Sequence, residues 1–486
     1  MKKLVDISLV TGATACVLWA AGCTVGPDYK RPAMITPVEF RGPLTMTNVP
    51  VDISFGDVAW WGTFRDPQLQ TLIREALTNS YDIEIAAARV LQAEALARAT
   101  RSQYFPTISA GGNLVTSRIS EKGAASVPNG VDAQREYGDV FVAMAAYEVD
   151  LWGRIRRANE ASRARLLATA EAQRTVRQTL VSQVATAYLE LLELDLELEI
   201  AQRSYVGRTN SLELTMSRET GGVAQLQDVH QARILVLASD AAITDTLRRI
   251  EQKENELSIL LGRNPGRIER STPLSQQNLR AEVPAGLPSS LLERRPDIRA
   301  AEQELVAANA DIGEARAAFY PQISLTGFFG HQTVALSDLF TGATRAWQFG
   351  PSISVPLFTG GRLRANLKFA EARFQELVAN YRQTVQRAFR EVSDGLIEYQ
   401  RSREYREKLE RKAEANRGAT ELAHVRYEGG VTSYLEVLYN EQEAFDADLD
   451  VAVARRNELL SVVQLYRALG GGWQDTNLEV SMNTNQ

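Results

Sequence analysis

The stretch LVSQVATAYLELLELDLELEIAQRSY, residues 180–205, decides the fold of this chain. Its apolar positions alternate at spacings of four and three, and they are Leu180, Val184, Ala187, Leu191, Leu194, Leu198, Ala201 and Tyr205. A strict repeat of about 3.5 residues is typical of helices that pack side by side as coiled coils. The stretch therefore predicts a helix that packs lengthwise against other helices.

The helix around this stretch is predicted to be very long. No proline occurs in residues 154–218, and a second proline-free stretch covers residues 362–428. At about 1.5 Å per residue, about 65 residues form a helix about 100 Å long. A simple dimeric coiled coil would show the same periodicity, but a duplication and two pairs of strands argue against it.

The whole unit around the long helix occurs twice. Four landmarks recur in the same order about 210 residues apart. The pairs are residues 104–109 with 319–324, 151–156 with 357–364, 221–223 with 429–431, and 261–262 with 469–470. Because both order and spacing are preserved, we infer that the chain is a duplication of one unit.

Each copy contains two short stretches with the composition of strands. Residues 107–117 are small, hydroxylated or β-branched, and residues 137–149 are mostly apolar. Both reach the length of about 9–11 residues that a tilted transmembrane strand needs. We predict strand pairs at residues 105–118 and 138–150 in the first copy, and at 321–333 and 346–358 in the second.

Helices of about half the long length flank these elements. In the first copy an opening helix is expected from Asp66-Pro67 to about Gln103, with Leu69, Leu72, Ile73 and Ala76 on one face. Gly221-Gly222 and Gly429-Gly430 permit the left-handed backbone of a tight turn, after which a helix of about 40 residues returns. Two half-length helices can lie end to end beside one long helix, which favours a cylinder wall over a compact bundle.

The predicted strands require more than one chain. Four transmembrane strands cannot close a barrel, and open sheet edges are not tolerated in lipid. Several chains must therefore share one barrel. Eight strands would make a dimer and twelve a trimer, and the pattern alone leaves both open.

The N-terminus is predicted to be a signal peptide, residues 1–22. Lys2 and Lys3 precede an apolar stretch, residues 10–21, that is too short to span a bilayer. Small residues directly before Cys23 resemble a lipobox, so we expect cleavage before Cys23 and acylation of Cys23. An ordinary signal peptide with an incidental cysteine is the alternative. Thr24, in place of an aspartate, permits sorting to the outer membrane.

Composition and motifs argue against nucleic-acid binding and catalysis. The 486 residues carry a formal charge of −6, without the basic excess of a nucleic-acid-binding protein. His230, His331 and His424 are scattered without metal-ligand spacing, and Cys16 and Cys23 are the only cysteines of the sequence. No nucleophile-elbow, P-loop or HExxH motif occurs. We expect no catalytic residues, no metal and no cofactor apart from the covalent lipid on Cys23.

Several motifs resemble those of the TolC-like outer-membrane factors, specifically their NodT-type efflux lipoproteins. The motifs are CTVGPDYKRP at residues 23–32, WWGTFRDPQL at 60–69, RRPDI at 294–298 and RYEGGVTSYLEVL at 426–438. Together they cover nearly the whole mature chain.

This resemblance implies the fold class and the assembly. The class is mainly α with membrane β: an internally duplicated α-helical barrel, with four strands per chain in a twelve-stranded barrel that a homotrimer shares. The implied domains are a lipidated equatorial segment (23–62), repeat 1 (63–262), an equatorial linker (263–290), repeat 2 (291–470) and a C-terminal tail (471–486).

The resemblance also implies the function. The protein would be the outer-membrane exit duct of a tripartite efflux system, lipid-anchored and extending into the periplasm. It would conduct drugs or other small molecules passively, together with a periplasmic adaptor and an inner-membrane pump of the RND type. Two alternatives remain: an exit duct for type I protein secretion, and a periplasmic adaptor or structural lipoprotein.

The same resemblance places a gate at the glycine turns. Asp228 and Glu436 each follow a turn glycine by six residues, where relatives have an acid that faces the constriction. Tyr427 matches a tyrosine of the closing network, and Thr432 stands where some relatives have a latching arginine, for which Arg426 is a candidate substitute. The alternative is that the acids only stabilise helix N-termini and that Arg426 is a solvated helix residue.

The turns are also the implied contact with the adaptor. The candidate docking residues are Gly221, Gly222, Val223, Gly429, Gly430, Val431 and Ser433. These residues could equally serve only to cap and pack the two hairpins, and both roles are compatible.

Overall fold

The computed structural model describes residues 24–37, 40–41, 66–120, 122–123, 133–277, 290–334 and 336–471. The predicted signal peptide and Cys23, the predicted site of acylation, lie outside these residues. So do most of the N-terminal segment 23–62, much of the linker 263–290 and the tail after Gly471.

Helices and strands follow the duplicated order. Repeat 1 contains α1 (Pro67–Asn79), α2 (Tyr81–Arg101), β1 (Ile108–Arg118), β2 (Gln134–Glu148), α3 (Arg154–Thr220) and α4 (Leu226–Leu260). Repeat 2 contains α5 (Leu291–Arg294), α6 (Pro296–Ala317), β3 (Gln322–Thr333), β4 (Arg345–Ser354), α7 (Arg362–Glu428) and α8 (Tyr434–Ala468). The long helices α3 and α7 have 67 residues each, and the return helices α4 and α8 have 35 each. The duplication is therefore confirmed element by element.

The four strands form one antiparallel sheet in the order β1-β2-β3-β4. Residue 108 of β1 pairs with residue 144 of β2, and residue 322 of β3 pairs with residue 354 of β4. Between β2 and β3 the register shifts once, between Met144 and Tyr147. The predicted strand pairs are confirmed, and β1 and β4 are the two edges of the sheet within one chain.

Three details of the predicted elements are wrong. The opening helix of repeat 1 is not continuous, because Ser80 has an extended backbone, caps α1 and separates it from α2. β1 begins only at Ile108, where its pairing with Met144 of β2 starts, and β4 ends at Ser354, which pairs with Gln322 at the start of β3. β2 begins at Gln134, four residues earlier than expected, because residues 134–137 pair with residues 115–118 of β1. In the described part of the chain, no helix has the length and apolar character needed to cross a membrane.

The chain divides into two compact units. Unit 1 comprises residues 1–32, 91–168 and 301–381, and unit 2 comprises residues 33–90, 169–300 and 382–486. Each unit thus takes segments from both repeats. Unit 2 contains the large apolar core, in which the heptad positions Leu180, Val184 and Leu191 are at most 1% exposed. The prediction that the apolar face of this stretch packs lengthwise in a core is confirmed, because that face is buried.

In unit 1, the segment that follows β2 in repeat 1 contacts the segment that precedes β3 in repeat 2. Trp152 donates its indole N–H to the carbonyl oxygen of Pro321 at 2.7 Å, and its ring stacks on Tyr320. The chain after Cys23 lies beside them, because the backbone N–H of Val25 donates to the carbonyl oxygen of Trp152 at 3.0 Å. Further along, Arg31 donates two hydrogen bonds to the carboxylate of Glu302, at 2.6 and 2.7 Å.

Candidate functional site

The two glycine turns have the same backbone geometry. In the first turn Val223 N–H donates to Arg218 O and Gly222 N–H to Glu219 O, both at 2.8 Å. The second turn repeats both bonds, and the left-handed residues are Gly222 (φ +75°) and Gly430 (φ +71°). This pattern is the Schellman motif, in which a left-handed residue lets the chain satisfy the last helical carbonyls before it reverses. Glycine suits this position because other residues are strained there.

The second turn gathers three of the predicted gate residues. The Thr432 hydroxyl donates to Oε2 of Glu436, and Arg426 Nε lies 3.4 Å from Oε1 of the same carboxylate. Both charged side chains are partly exposed, at 48% for Arg426 and 40% for Glu436. The structure thus places Arg426, on α7, beside the acid of α8, where the sequence suggested a substitute for the missing arginine.

Asp228, the equivalent acid of the first turn, has a different environment. Its carboxylate accepts the backbone N–H of Gln225 at 3.1 Å, which caps the N-terminus of α4. The ion pairs found among the described residues include none to Asp228, so it does not copy the contact of Glu436. Within one chain Asp228 has the capping role that the alternative interpretation gave it.

Tyr427 packs in the interior of the second helical hairpin, which α7 and α8 form, near the turns. It is only 5% exposed, and its ring meets that of Tyr434 edge to face at 5.4 Å. The guanidinium of Arg218 lies 4.6 Å from the centre of the Tyr427 ring, and Arg218 also donates to the carbonyl oxygen of Glu428. The hydroxyl of Tyr427 has no hydrogen-bond partner among the described residues. Tyr427 therefore holds the two turns together by packing and a cation–π contact.

Sequence reasoning missed Arg218 and Tyr434, although one signal was available. Arg218 precedes Arg426 by the same 208 residues that separate the two turns, so the duplication marked it as an equivalent position. Tyr434 is the first residue of α8 and is 2% exposed. Burial raises the pKa of Tyr434, so its hydroxyl stays neutral at physiological pH.

The candidate docking residues lie on the outside of the turns. Val223 is 70% exposed and Val431 is 72% exposed. Leu226 and Leu435, each just after a turn, are also exposed apolar residues. Ser433 is the N-cap residue of α8, and its carbonyl oxygen accepts the N–H of Glu436. The turns thus present apolar side chains on a backbone that the Schellman bonds hold in place.

A layer of buried polar side chains, which the sequence did not suggest, joins helices of both helical hairpins near the turns. Arg208 of α3 is 3% exposed, and Glu441 of α8 has a side chain that is 9% exposed. His424 of α7 lies 3.0 Å from this carboxylate. The hydrogen bond to Glu441 raises the pKa of His424 above its usual value. Charged groups at this depth usually need partners, which makes the layer sensitive to protonation.

Comparison with known proteins defines the class of this protein. A profile of the outer membrane efflux protein family matches residues 72–263 and 287–471, one match in each repeat. The chain belongs to this family: it is an outer-membrane channel for efflux.

Individual relatives match over almost the whole chain. The solvent efflux pump outer membrane protein SrpC of Pseudomonas putida is 38% identical, over 94% of this chain and 97% of its own length. The cation efflux system protein CusC of Escherichia coli is 36% identical over 94% of this chain and 98% of its own length. The crystal structure of the open state of the MtrE outer membrane channel of Neisseria gonorrhoeae superposes with a TM-score of 0.82. It is 31% identical and covers 93% of this chain and 99% of its own.

Proposed function

We propose that three copies of this chain form the exit duct of a tripartite efflux system for small molecules. Each copy contributes four strands to a twelve-stranded barrel and two hairpins to a helical duct in the periplasm. Cargo moves through the duct passively, and this chain catalyses no reaction. A lipid on Cys23 anchors each copy to the outer membrane.

The observation that carries this proposal is the match to efflux channels along both repeats of the chain. The sheet supports the shared barrel, because strands β1 and β4 have no second neighbour among the described residues. In lipid such edges must pair with another chain. An adaptor with a single hairpin is disfavoured by the two equivalent hairpins, and a protein-secretion duct is disfavoured by relatives whose names refer to efflux.

The proposed gate lies where the turns of three chains converge. There Asp228 and Glu436 would bring up to six carboxylates near one axis. A ring of acids in a narrow pore favours cations and repels anions. Arg426 and Thr432 hold Glu436 in each chain, and Tyr427 holds the turns together. This arrangement replaces the arginine latch that Thr432 cannot provide.

The proposed partners are a periplasmic adaptor and an inner-membrane pump of the RND type. The exposed Val223 and Val431 would meet the adaptor, together with Ser433 and the turn glycines. The cargo is proposed to be small molecules, since relatives are named for solvents, antibiotics and cations.

Single-channel conductance in a planar bilayer tests the duct and the gate together. We expect a small, cation-selective conductance in the wild type. The double variant Asp228→Ala with Glu436→Ala should lose most of this selectivity, because the acids no longer line the constriction. A matched control is Asp240→Ala with Asp450→Ala, which removes two exposed acids from the same return helices.

The outcomes separate the two parts of the proposal. Unchanged selectivity in the Asp228/Glu436 variant would remove these acids from the constriction and leave the duct intact. If no conductance is seen in the wild type, Gly222→Pro with Gly430→Pro should open the turns by breaking their left-handed backbone. Silence of that variant as well would contradict the duct itself.

A further inference from the structure

The carboxylate of Glu441 joins three helices near the turns. Its Oε1 accepts the hydroxyl proton of Ser211, on α3, at 2.8 Å. The same oxygen lies 3.0 Å from Nε2 of His424, on α7, while Glu441 itself belongs to α8. One oxygen atom therefore links the long helix of the first hairpin, α3 with α4, to both helices of the second hairpin, α7 with α8.

The surroundings of Glu441 make its charge costly. The second oxygen, Oε2, is buried and has no hydrogen-bond partner among the described residues. A buried carboxylate loses its hydration and is stable only when nearby donors and positive charges compensate. Ser211 supplies one neutral donor. His424 is the group in direct contact that can supply a full charge.

Arg208 lies close to Glu441, but its guanidinium donates hydrogen bonds to other residues. Its Nη1 donates to Ser239 Oγ of α4 at 2.9 Å, and its Nη2 donates to Gln442 Oε1 of α8 at 3.0 Å. Its guanidinium also lies over the ring of Phe445, 4.9 Å from the centre. No carboxylate lies within ion-pair distance of Arg208 among the described residues, although Glu441 and Asp446 act on it through their fields. Arg208 therefore ties α3 to α4 and α8 without neutralising Glu441 directly.

We propose that Ser211, His424 and Glu441 form a proton-dependent brace that holds the second hairpin against the long helix of the first. The brace regulates the gate, so this inference rests on the proposed function. When His424 carries a proton, its ion pair with Glu441 joins α7 to α8 and holds the carboxylate where it accepts the hydroxyl proton of Ser211, on α3. When His424 loses the proton, this ion pair is lost, the carboxylate is held less firmly against Ser211, and the hairpins separate more readily.

The other charged and titratable groups of this layer set the direction of the response. On α7, Glu428 acts on His424 and favours its protonated form, as Glu441 does from α8. From α3, Arg208 faces Glu441, and Asp446 of α8 faces Arg208. Tyr434 of α8 is neutral, and Asp228 of α4 acts on it only through its field. Acids thus dominate around His424, so acidic pH tightens the brace and alkaline pH loosens it.

Hydrogen–deuterium exchange of the full-length protein measures the brace without requiring an open channel. Amides around Glu441 and His424 should open more readily at about pH 8 than at about pH 5, after correction for the intrinsic rate. We expect a difference in the opening equilibrium of about fivefold or more, the lower end of coupling between linked sites. His424→Gln retains a donor but cannot gain a charge, so it should remove this difference.

His230→Gln is the matched control, because His230 is an exposed histidine of α4 near the first turn. It should retain the full pH response. Glu441→Gln removes the acidic partner of the ion pair and should also abolish the pH response of the exchange. A wild type without pH response, or a His424→Gln protein with the wild-type response, would overturn the brace.

Conductance then connects the brace to the gate. Opening of the wild-type channel should increase from about pH 5 to about pH 8, and His424→Gln should resemble the wild type at the alkaline end throughout. If exchange responds as expected but no variant conducts, the brace stands and the proposed duct fails. If channels conduct with the same pH profile in His424→Gln, the duct stands and the regulation by His424 is wrong.

Discussion

Equivalent residues of the two repeats have acquired different partners. Arg218 and Arg426 each stand four residues before a left-handed glycine, but Arg218 covers the ring of Tyr427 and Arg426 pairs with Glu436. Asp228 caps its own helix, whereas the equivalent Glu436 accepts a hydroxyl proton from Thr432. The first turn has Ala224 where the second has Thr432, so it offers no hydroxyl that could donate to Asp228. Duplication therefore conserved the backbone of the turns but not their side-chain contacts.

A buried acid in unit 2 predicts a pH-dependent stability. Glu193 has a side chain that is 2% exposed and accepts a hydrogen bond from Arg456 at 2.8 Å. Burial raises its pKa to about 7, while Arg456 opposes the shift and Glu197 adds to it. Because the folded protein holds this proton more tightly than the unfolded chain, the associated stability is present at acidic pH. It is lost as the pH rises through about 7.

Glu193→Gln should therefore flatten the pH dependence. The melting temperature of the wild type, measured by circular dichroism, should fall between about pH 5 and about pH 8, and the variant should fall less. Glu199→Gln is the control, since Glu199 lies on the same helix and its side chain is 69% exposed. Equal pH profiles for wild type and Glu193→Gln would show that Glu193 does not titrate in this range.

Within the sheet, one glycine is required by the close approach of two strands. A Cβ atom at Gly330, in β3, would lie 2.2 Å from the carbonyl oxygen of Val140 in β2. Backbone atoms cannot rotate away as a side chain can, so the strands would have to separate. Gly350 of β4 has open space around its Cβ position.

Gly330→Ala should destabilise the folded protein by about 1–3 kcal/mol, the usual cost of overpacking. Gly350→Ala should change the stability by much less and serves as the matched control from the same sheet. The free energy of unfolding, obtained from urea titration in detergent, distinguishes the two. A Gly330→Ala protein as stable as Gly350→Ala would contradict the close strand contact.

Cys23, the proposed lipid anchor of the whole molecule, lies outside the described residues. Thr24 and Val25 follow Cys23 directly, and Val25 is bonded to Trp152 in unit 1. Acyl chains on Cys23 would therefore start a short distance from the segment that connects β2 to α3. A lipid on Cys23 would hold the end of the sheet where β2 finishes close to the membrane surface.

Labelling of cells with radioactive palmitate tests this anchor. We expect the wild type to incorporate the label and Cys23→Ser to lose it, because Cys23 is the proposed lipid-bearing residue. Cys16→Ser should remain labelled, since Cys16 lies within the predicted signal peptide. Label on Cys23→Ser would show that the lipid is attached elsewhere or that the lipobox interpretation is wrong.

Sequence patterns predicted the features that repeat or that depend on local backbone chemistry. The heptads of α3, the two proline-free long helices, the four strands and the glycine turns all follow from periodicity, composition and the conformational freedom of glycine. Such signals are contained within a few neighbouring residues. The helix break at Ser80 escaped prediction because no glycine or proline marks it, and the early start of β2 escaped prediction because its first residues, 134–136, are polar and charged.

The charged contacts were decided only when the helices packed. With 60 acidic and 54 basic residues in the sequence, no spacing selects Glu441 as the partner of Ser211, which is 230 residues away. Nor does the sequence indicate that Arg208 is buried while Arg203, five residues earlier, stays largely exposed. Long-range pairings depend on which helical faces meet and on how much water each carboxylate loses. These quantities exist only in the folded chain, because they arise from the positions of helices that are distant in the sequence.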